Sequence, residues 1–576
     1  MSKTMNAYPS IDKPWLKFYT PEVVNGDLPE CTIYDFMMQN NKDHPSDIAI
    51  NYLGNKITYG DLFRNIDKAA AAFLNAGVKE KEIVTVALPS IPEAIYCVYA
   101  LNKIGAIANM IHPLAGKSET AFYVNEVKSR IVLIFDGAYE GVADILPTTT
   151  AEKVIVVSVG DSLPRFKQAA YALKVKQPKL DNSLFQSWKS FISDGAKTEV
   201  KAVKRDYKET AIISHTGGTT GEPKGCMVSD YNVNAEIWQV VKTMENKRQQ
   251  VMMAVLPPFV NYSLVNTMLE PLYAGFTTVL LPKYEPEKFA EYVTKYHVNH
   301  VNSIPAYWEA LLTIPNIQKY DLSGLGFVFY GGEGMPKDKE EKVNEVLASC
   351  GAKVKLQKGL GMTELTSAAT ATFENVNATS TGIVGIPLAK MIVKAVDVDD
   401  GAEKTYGEEG ELCITGPTVM LGYYHNKSAT DDLIKTDDDG VRWIHPGDLG
   451  RINQDGVVRI TGRVKRIIMT KGSDGQVTKM FPNRIEKAVH TDDSVGLCCV
   501  VGVPDEQRIN VPKAYIVLTP GFEKTEETKQ KIIQNCKKML PGYMVPEEIE
   551  FRDSLPRTPR GKIDYRALEN ETQASK

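Results

Sequence analysis

"HTGGTTGEPKG", residues 215–225, is the stretch whose composition points most directly to chemistry. Glycines let backbone N–H groups approach an anion, threonine hydroxyls add donors, and a lysine supplies a compact positive charge. A polyphosphate is the natural guest of such a set. The stretch is not a Walker loop, which requires G-x-x-x-x-G-K-[ST], because Lys224 stands between Pro223 and Gly225. It follows a strand-like run, "ETAIISHT", and precedes a helix-like one, "NVNAEIWQVVKTM", so the expected order is strand, loop, helix. Taken alone, a surface turn would read the same way, and the rest of the chain must decide.

The chain that positions this loop has 576 residues, 43% hydrophobic and 24% charged, which is enough for several globular domains. A net charge of -4 leaves no basic footprint for nucleic acid. The start, "MSKTMNAYPSIDKPW", lacks a signal-peptide pattern, and no apolar run approaches the ~18 residues that span a bilayer, so a cytoplasmic location is expected. Eight cysteines without C-x-x-C spacing point to small buried hydrophobes, not to zinc or a disulfide framework. Thr58 and Asp61 form a capping-box pattern at the head of a helix that Gly77 ends. The runs "EIVTVAL", "RIVLIFD" and "KVIVVSV" alternate with helical or loop segments, which predicts α/β architecture with largely parallel sheet. Between about 160 and 205, lysines mixed with isolated aromatics read as a solvated excursion that could also touch a membrane peripherally. Turn-rich segments such as "INQDGVVRITGR" predict an antiparallel, barrel-like region, and after Arg463 the texture becomes that of a compact α+β unit.

"TGGTTGEPKG" resembles the phosphate-loop signature of the AMP-forming adenylating enzymes, which include acyl-CoA synthetases, firefly luciferase and the adenylation domains of peptide synthetases. The resemblance recurs in order: "ITYGDL" at 57–62, "LPPFVNYSL" at 256–264, "GGEGMP" at 331–336, "GLGMTE" at 359–364, "GELCITGPTVMLGYYHN" at 410–426, "HPGDLG" at 445–450, "ITGRVKRII" at 460–468 and "PRTPRGKID" at 556–564. It implies a large N-terminal domain, 1–463, of two α/β subdomains plus a β-barrel-like region, and a small mobile C-terminal α+β domain, 464–576. It also implies an acid–thiol ligase that makes acyl-AMP from a carboxylic acid and ATP, with Mg²⁺, and then transfers the acyl group to coenzyme A.

Carried over residue by residue, the resemblance implies that Thr216, Gly217, Gly218, Thr219, Thr220, Gly221 and Lys224 grip the β- and γ-phosphates. Thr363 and Glu364 would meet the α-phosphate, with Glu364 holding Mg²⁺, a hard ion that takes carboxylates together with substrate phosphates. Asp448 would accept from the ribose hydroxyls, assisted by Arg463. Gly332 and Glu333 would lie along the adenine and acyl sites, and Lys465 would be the hinge. Lys562 resembles the catalytic lysine that reaches the reacting atoms when the small domain closes.

Three places depart from the pattern. Leu360 stands where an aromatic residue commonly stacks on adenine, so either Tyr330 substitutes for it or ATP binds more weakly. Val260 and Asn261 stand where many members carry histidine or an aromatic residue. The segment 469–486 is longer than usual, with Gly472 or Gly475 as its working glycine. Relatives that activate amino acids usually place an aspartate just after the residue matching Phe259, and a buried ammonium without a partner is costly. Val260 and Asn261 carry no charge, so the apolar pocket set Phe259, Val260, Tyr262, Tyr330, Gly331, Leu360 and Ala368 points to a fatty or aryl acid. A carrier-protein thiol is the alternative acceptor. His112, His215 and His445 lack a serine or cysteine arrangement for hydrolysis and read as structural.

Overall fold

Three of the predicted apolar runs become neighbouring parallel strands, Ile83–Ala87, Ile131–Phe135 and Lys153–Val157, buried on both faces as β-branched runs without polar alternation must be. The computed structural model describes residues 7–574 apart from 175–177, 181–182, 217–222, 245, 374–375, 377–381, 472–476 and 558–562, with backbone alone at 172, 174, 465, 573 and 574. The three strands belong to an eight-stranded sheet ordered Gly422–Tyr423, Gly225–Ser229, Thr210–His215, Ile107–Met110, Ile83–Ala87, Ile131–Phe135, Lys153–Val157, Phe185–Ser187. Its neighbours are parallel from Thr210–His215 onward and antiparallel at the other edge.

A second sheet of seven strands runs Gln357–Lys358, Phe327–Tyr330, His300–Ser303, Val251–Ala254, Thr277–Leu280, Ile48–Tyr52, Asn55–Thr58, parallel except for its last pair. The helix Tyr59–Asn75 starts with the expected capping box, Thr58 and Asp61 exchanging bonds. It closes at Gly77, φ 79°, with Val78 N–H on the Phe73 carbonyl and Gly77 N–H on that of Leu74.

The turn-rich region after residue 370 forms a third, antiparallel sheet, which includes Ile383–Pro387, Val458–Arg463, Asp448–Ile452, Gly410–Thr415 and Arg442–Ile444. Past Arg463 the 3-10 turn Val464–Arg466, which contains Lys465, leads to a hairpin of Ile468–Lys471 and Val477–Met480. A three-stranded sheet of Val495–Asp505, Ile509–Leu518 and Glu548–Phe551 follows, with helices Pro482–Val489, Glu526–Met539 and Tyr565–Ala574. Ile485, Val500, Ile516 and Ile532 pack there in a core of their own. The working-glycine candidates Gly472 and Gly475 lie outside the described residues. All cysteines are free thiols, and all but Cys31 are buried.

The expected order strand, loop, helix around residues 215–225 is corrected. "GCMVS", Gly225–Ser229, forms a strand antiparallel to Thr210–His215, and the helix Asp230–Thr243 begins only after it. The segment therefore joins two antiparallel strands, and the Thr216 N–H on the Lys224 carbonyl at 3.0 Å ties its ends. No helix N-terminus directly follows it.

Candidate active site

Thr216 and Lys224 are the described ends of the loop; Gly217, Gly218, Thr219, Thr220 and Gly221 lie outside the described residues. Lys224 Nζ lies 5.1 Å from the ring centroid of Tyr423. Tyr423 arrives there because Gly422–Tyr423 pairs antiparallel with Gly225–Ser229, Tyr423 opposite Cys226. Its hydroxyl donates to Glu364 Oε1 at 2.6 Å. Burial and the neighbouring Glu364 charge hold the Tyr423 hydroxyl well above its ordinary range, and they raise the Cys226 thiol likewise. Nothing in the spacing of "GYYHN" alone gives Tyr423 a role.

Glu364 is held by unusual backbone. Thr363–Leu365 is a 3-10 turn, and Thr366 after it has φ 65° and ψ -56°. That is the rare γ-turn conformation, strained for a β-branched residue. Ser367 N–H closes it on the Leu365 carbonyl at 2.7 Å, and the Thr366 hydroxyl donates to the Thr418 carbonyl at 2.8 Å. The Met420 N–H donates to the Glu364 carbonyl at 2.9 Å. Such strain persists where surrounding bonds over-determine a position.

Asn261, one of the departing positions, acts as a pin. It is buried, its Oδ1 accepts from the Ser214 hydroxyl, and its Nδ2 lies 3.5 Å from the Thr363 carbonyl. It ties the strand entering the loop to the turn carrying Glu364. Val260 precedes it, partly exposed, and Phe259 packs on His112 with ring centroids 4.5 Å apart.

On the neighbouring face, Tyr262 donates to the Ser303 carbonyl at 3.1 Å, and a Cβ on Gly331 would stand 3.7 Å from the Tyr262 ring. Leu360 and Ala368 lie on facing segments bridged at Gly361, where a Cβ would stand 2.0 Å from the Ser367 carbonyl, so only glycine fits. Gly332, φ 83°, and Glu333 are exposed beside them. Tyr330 is turned elsewhere: it is buried, and its hydroxyl donates to Glu340 at 2.8 Å, beside the Lys358–Glu340 ion pair.

Asp448 and Arg463 face each other across adjacent antiparallel strands and form an ion pair. The Asp448 side chain is nearly buried, while that of Arg463 is half exposed. Glu411 braces the turn before Asp448: its Oε1 accepts the Gly447 N–H at 2.9 Å, and its Oε2 lies 3.0 Å from His445 Nδ1. Lys562 lies outside the described residues, and only the backbone of Lys465 is described. Next to Lys465, Arg466 pairs with Glu486 at 2.5 Å and lies over the Tyr565 ring, which anchors the turn to the C-terminal unit.

This arrangement sets Lys224 over the Tyr423 ring and Glu364 on its hydroxyl, with Tyr262, Leu360 and Ala368 partly exposed on the neighbouring face. A lysine supplies charge for an anion, a carboxylate can take a hard cation, and the neighbouring face is largely apolar. The chain is 27% identical to a long-chain-fatty-acid–CoA ligase of Bacillus subtilis (strain 168), covering 97% of this chain and 98% of that protein. It is 28% identical to a 4-coumarate–CoA ligase of Humulus lupulus, covering 91% and 90%. Its fold matches the crystal structure of an anthranilate CoA ligase in complex with anthranoyl-AMP with a TM-score of 0.78, at 21% identity over 95% of this chain and 99% of that one. The AMP-binding enzyme family model matches residues 37–424 and the AMP-binding enzyme C-terminal domain model residues 484–562. The chain belongs to the AMP-binding enzyme family.

Proposed function

We propose that the protein is an ATP-dependent, AMP-forming acid–CoA ligase acting on a fatty or aryl carboxylic acid. The carboxylate attacks the α-phosphate of ATP, pyrophosphate leaves, and the acyl group of acyl-AMP passes to the thiol of coenzyme A. The observation that carries this reading is the set Lys224, Tyr423 and Glu364 at the end of the loop. Two anions must meet in the first step, so positioning and charge stabilisation carry the catalysis.

Thr216 and Lys224, with the loop between them, hold the outer phosphates. A lysine on a loop can follow departing pyrophosphate, whereas a lysine fixed at a helix mouth would hold it in place. Glu364 is the residue that would hold Mg²⁺: a hard carboxylate oxygen in the same cluster as the phosphate-loop lysine suits an ion bound together with substrate phosphates. Bound there, the ion would neutralise phosphate charge. Thr363 lies at the α-phosphate, the Asp448–Arg463 pair takes the ribose, and Leu360, Gly332 and Glu333 border the adenine and acyl sites. Lys562, on the C-terminal domain 464–576, reaches the α-phosphate when that domain rotates about Lys465.

CoA is the favoured acceptor because the relatives of matching length are named as CoA ligases; a carrier-protein thiol is the alternative. A cytoplasmic location belongs to the same reading. Among the described residues no helix is long and apolar enough to cross a membrane. Peripheral contact would use the helix Arg165–Lys174, where Phe166 and Leu173 are 72% and 90% exposed. The deciding experiment is pyrophosphate release across a panel of acids, with and without CoA. Acid-dependent release and thioester formation are expected; release without any thioester would replace CoA by a carrier protein.

A further inference from the structure

Behind Ala368 and Tyr262 the core holds two carboxylates that no cation neutralises among the described residues. Glu236, from the helix Asp230–Thr243, is fully buried, and Glu270, at the head of Glu270–Ala274, is 4% exposed. The turn before Glu270, Leu264–Leu269, is π-helical, a widening that in helices often marks functional sites. It sets Asn266 between the two acids, with its Nδ2 3.2 Å from Glu270 Oε2 and 3.4 Å from Glu236 Oε1. The Ala368 N–H donates to Glu236 Oε1 at 2.9 Å, the Ser367 hydroxyl to Asn266 Oδ1, and Asn302 Nδ2 to the Asn266 carbonyl at 3.2 Å.

These bonds leave polar atoms over. Glu236 Oε2, Asn302 Oδ1 and Ser303 Oγ are buried without a hydrogen-bond partner among the described residues. Ser303 is the residue whose carbonyl takes the Tyr262 hydroxyl. The cluster therefore adjoins the two pocket residues, Tyr262 and Ala368, that expose part of their surface. Burial pushes both carboxyls up to about 8, and for Glu270 the neighbouring Glu236 adds to it. A buried polar group without a partner is costly, and natural cores seldom keep several together without a use for them.

We infer that this cluster receives the far end of the acyl substrate, and that the acid carries a basic nitrogen there, as an amino-terminated fatty acid or an amino-substituted aryl acid. The inference rests on the acid–CoA ligase reading. An ammonium brings three N–H donors for these unpartnered atoms, and its charge favours release of the protons that the buried carboxyls otherwise keep. A terminal methyl leaves Glu236 Oε2, Asn302 Oδ1 and Ser303 Oγ unpaired, and a terminal carboxylate sets an anion beside two buried acids. An α-ammonium would find no charged partner at Val260 or Asn261, whereas this nitrogen lies at the opposite end of the acid.

The test compares matched acids: ω-amino against methyl-ended fatty acids of equal length, and amino- against methyl-substituted cinnamic acids. Pyrophosphate release and CoA thioester formation give kcat/KM for each. The amino acid of at least one pair is expected to lead its partner by about tenfold or more, the scale of one charge-assisted hydrogen bond, and E236Q, E270Q and N302L should each cut that ratio by a similar factor. Because the ratio is taken within one preparation, partial loss of folded enzyme cancels. Methyl-ended acids preferred in every pair, or a ratio unmoved in all three variants, would overturn the inference and leave the ligase reading standing. Absence of pyrophosphate with every acid would overturn the ligase reading, and the inference with it.

Discussion

The Tyr423 hydroxyl donates to Glu364 Oε1 at 2.6 Å while Lys224 stands above the same ring, so one side chain couples the carboxylate to the lysine of the phosphate loop. Tyr423→Phe removes the bond and keeps the ring. A hydrogen bond to a charged group contributes about 1.5–3 kcal/mol, so adenylation should fall by about 10- to 100-fold. Pyrophosphate release at saturating acid, titrated with Mg²⁺, measures it; a phenylalanine variant with parental rate and Mg²⁺ dependence would dissociate Tyr423 from Glu364's work.

Lys562→Ala should slow acyl-AMP formation by about 10²- to 10³-fold, the scale for losing one preorganised electrostatic stabiliser. If the lysine serves the first step, thioester formation from supplied acyl-AMP and CoA should suffer far less. Equal adenylation rates for variant and parent would sink the assignment.

If Asp448 binds the ribose, Asp448→Ala should raise the KM for ATP and erase any preference for ATP over 2′-deoxy-ATP. Glu411→Gln should move both quantities the same way by a smaller factor, because Glu411 acts through the Gly447 N–H and His445. Steady-state kinetics with the two nucleotides checks this. A Glu411 variant that changed stability alone would reduce that residue to packing.

The Glu236 and Glu270 carboxyls, raised from 4.5 to about 8, also set a pH dependence of stability. In this window the folded protein keeps protons that the unfolded chain has lost, so stability falls as pH rises from about 4.5 to about 8 and levels beyond. The double variant E236Q/E270Q should show a flatter melting profile across that range and should melt above the parent at its alkaline end. Parallel profiles for the two proteins would contradict the buried, proton-holding state.

Much of this site is legible in the sequence because its parts are short and local. The capping box at Thr58 and the parallel runs around Ile83, Ile131 and Lys153 follow from spacing alone, and Glu364, Asp448 and Arg463 sit in compact motifs. The strand Gly225–Ser229 was hidden because five residues beside a helix start carry no period of their own; pairing with Thr210–His215 decides it. Tyr423 gains its meaning only from the edge pairing that brings it to Glu364. Tyr330 reads as a pocket aromatic in sequence, yet its hydroxyl goes to Glu340, a partner supplied by the next helix. Glu236 and Glu270 were invisible for a related reason. Each looks like a solvated charge in a helical stretch, and only the π-helical turn brings Asn266 between them.

The two-residue strand Gly422–Tyr423 lies at the margin of its sheet, outside Gly225–Ser229. An uncovered strand margin offers its backbone to other chains. The pair covers part of the backbone edge of Gly225–Ser229 and contains the same residue that reaches Glu364. Loss of this pairing is expected to expose that edge and to link low activity with poor solubility among variants of residues 420–430.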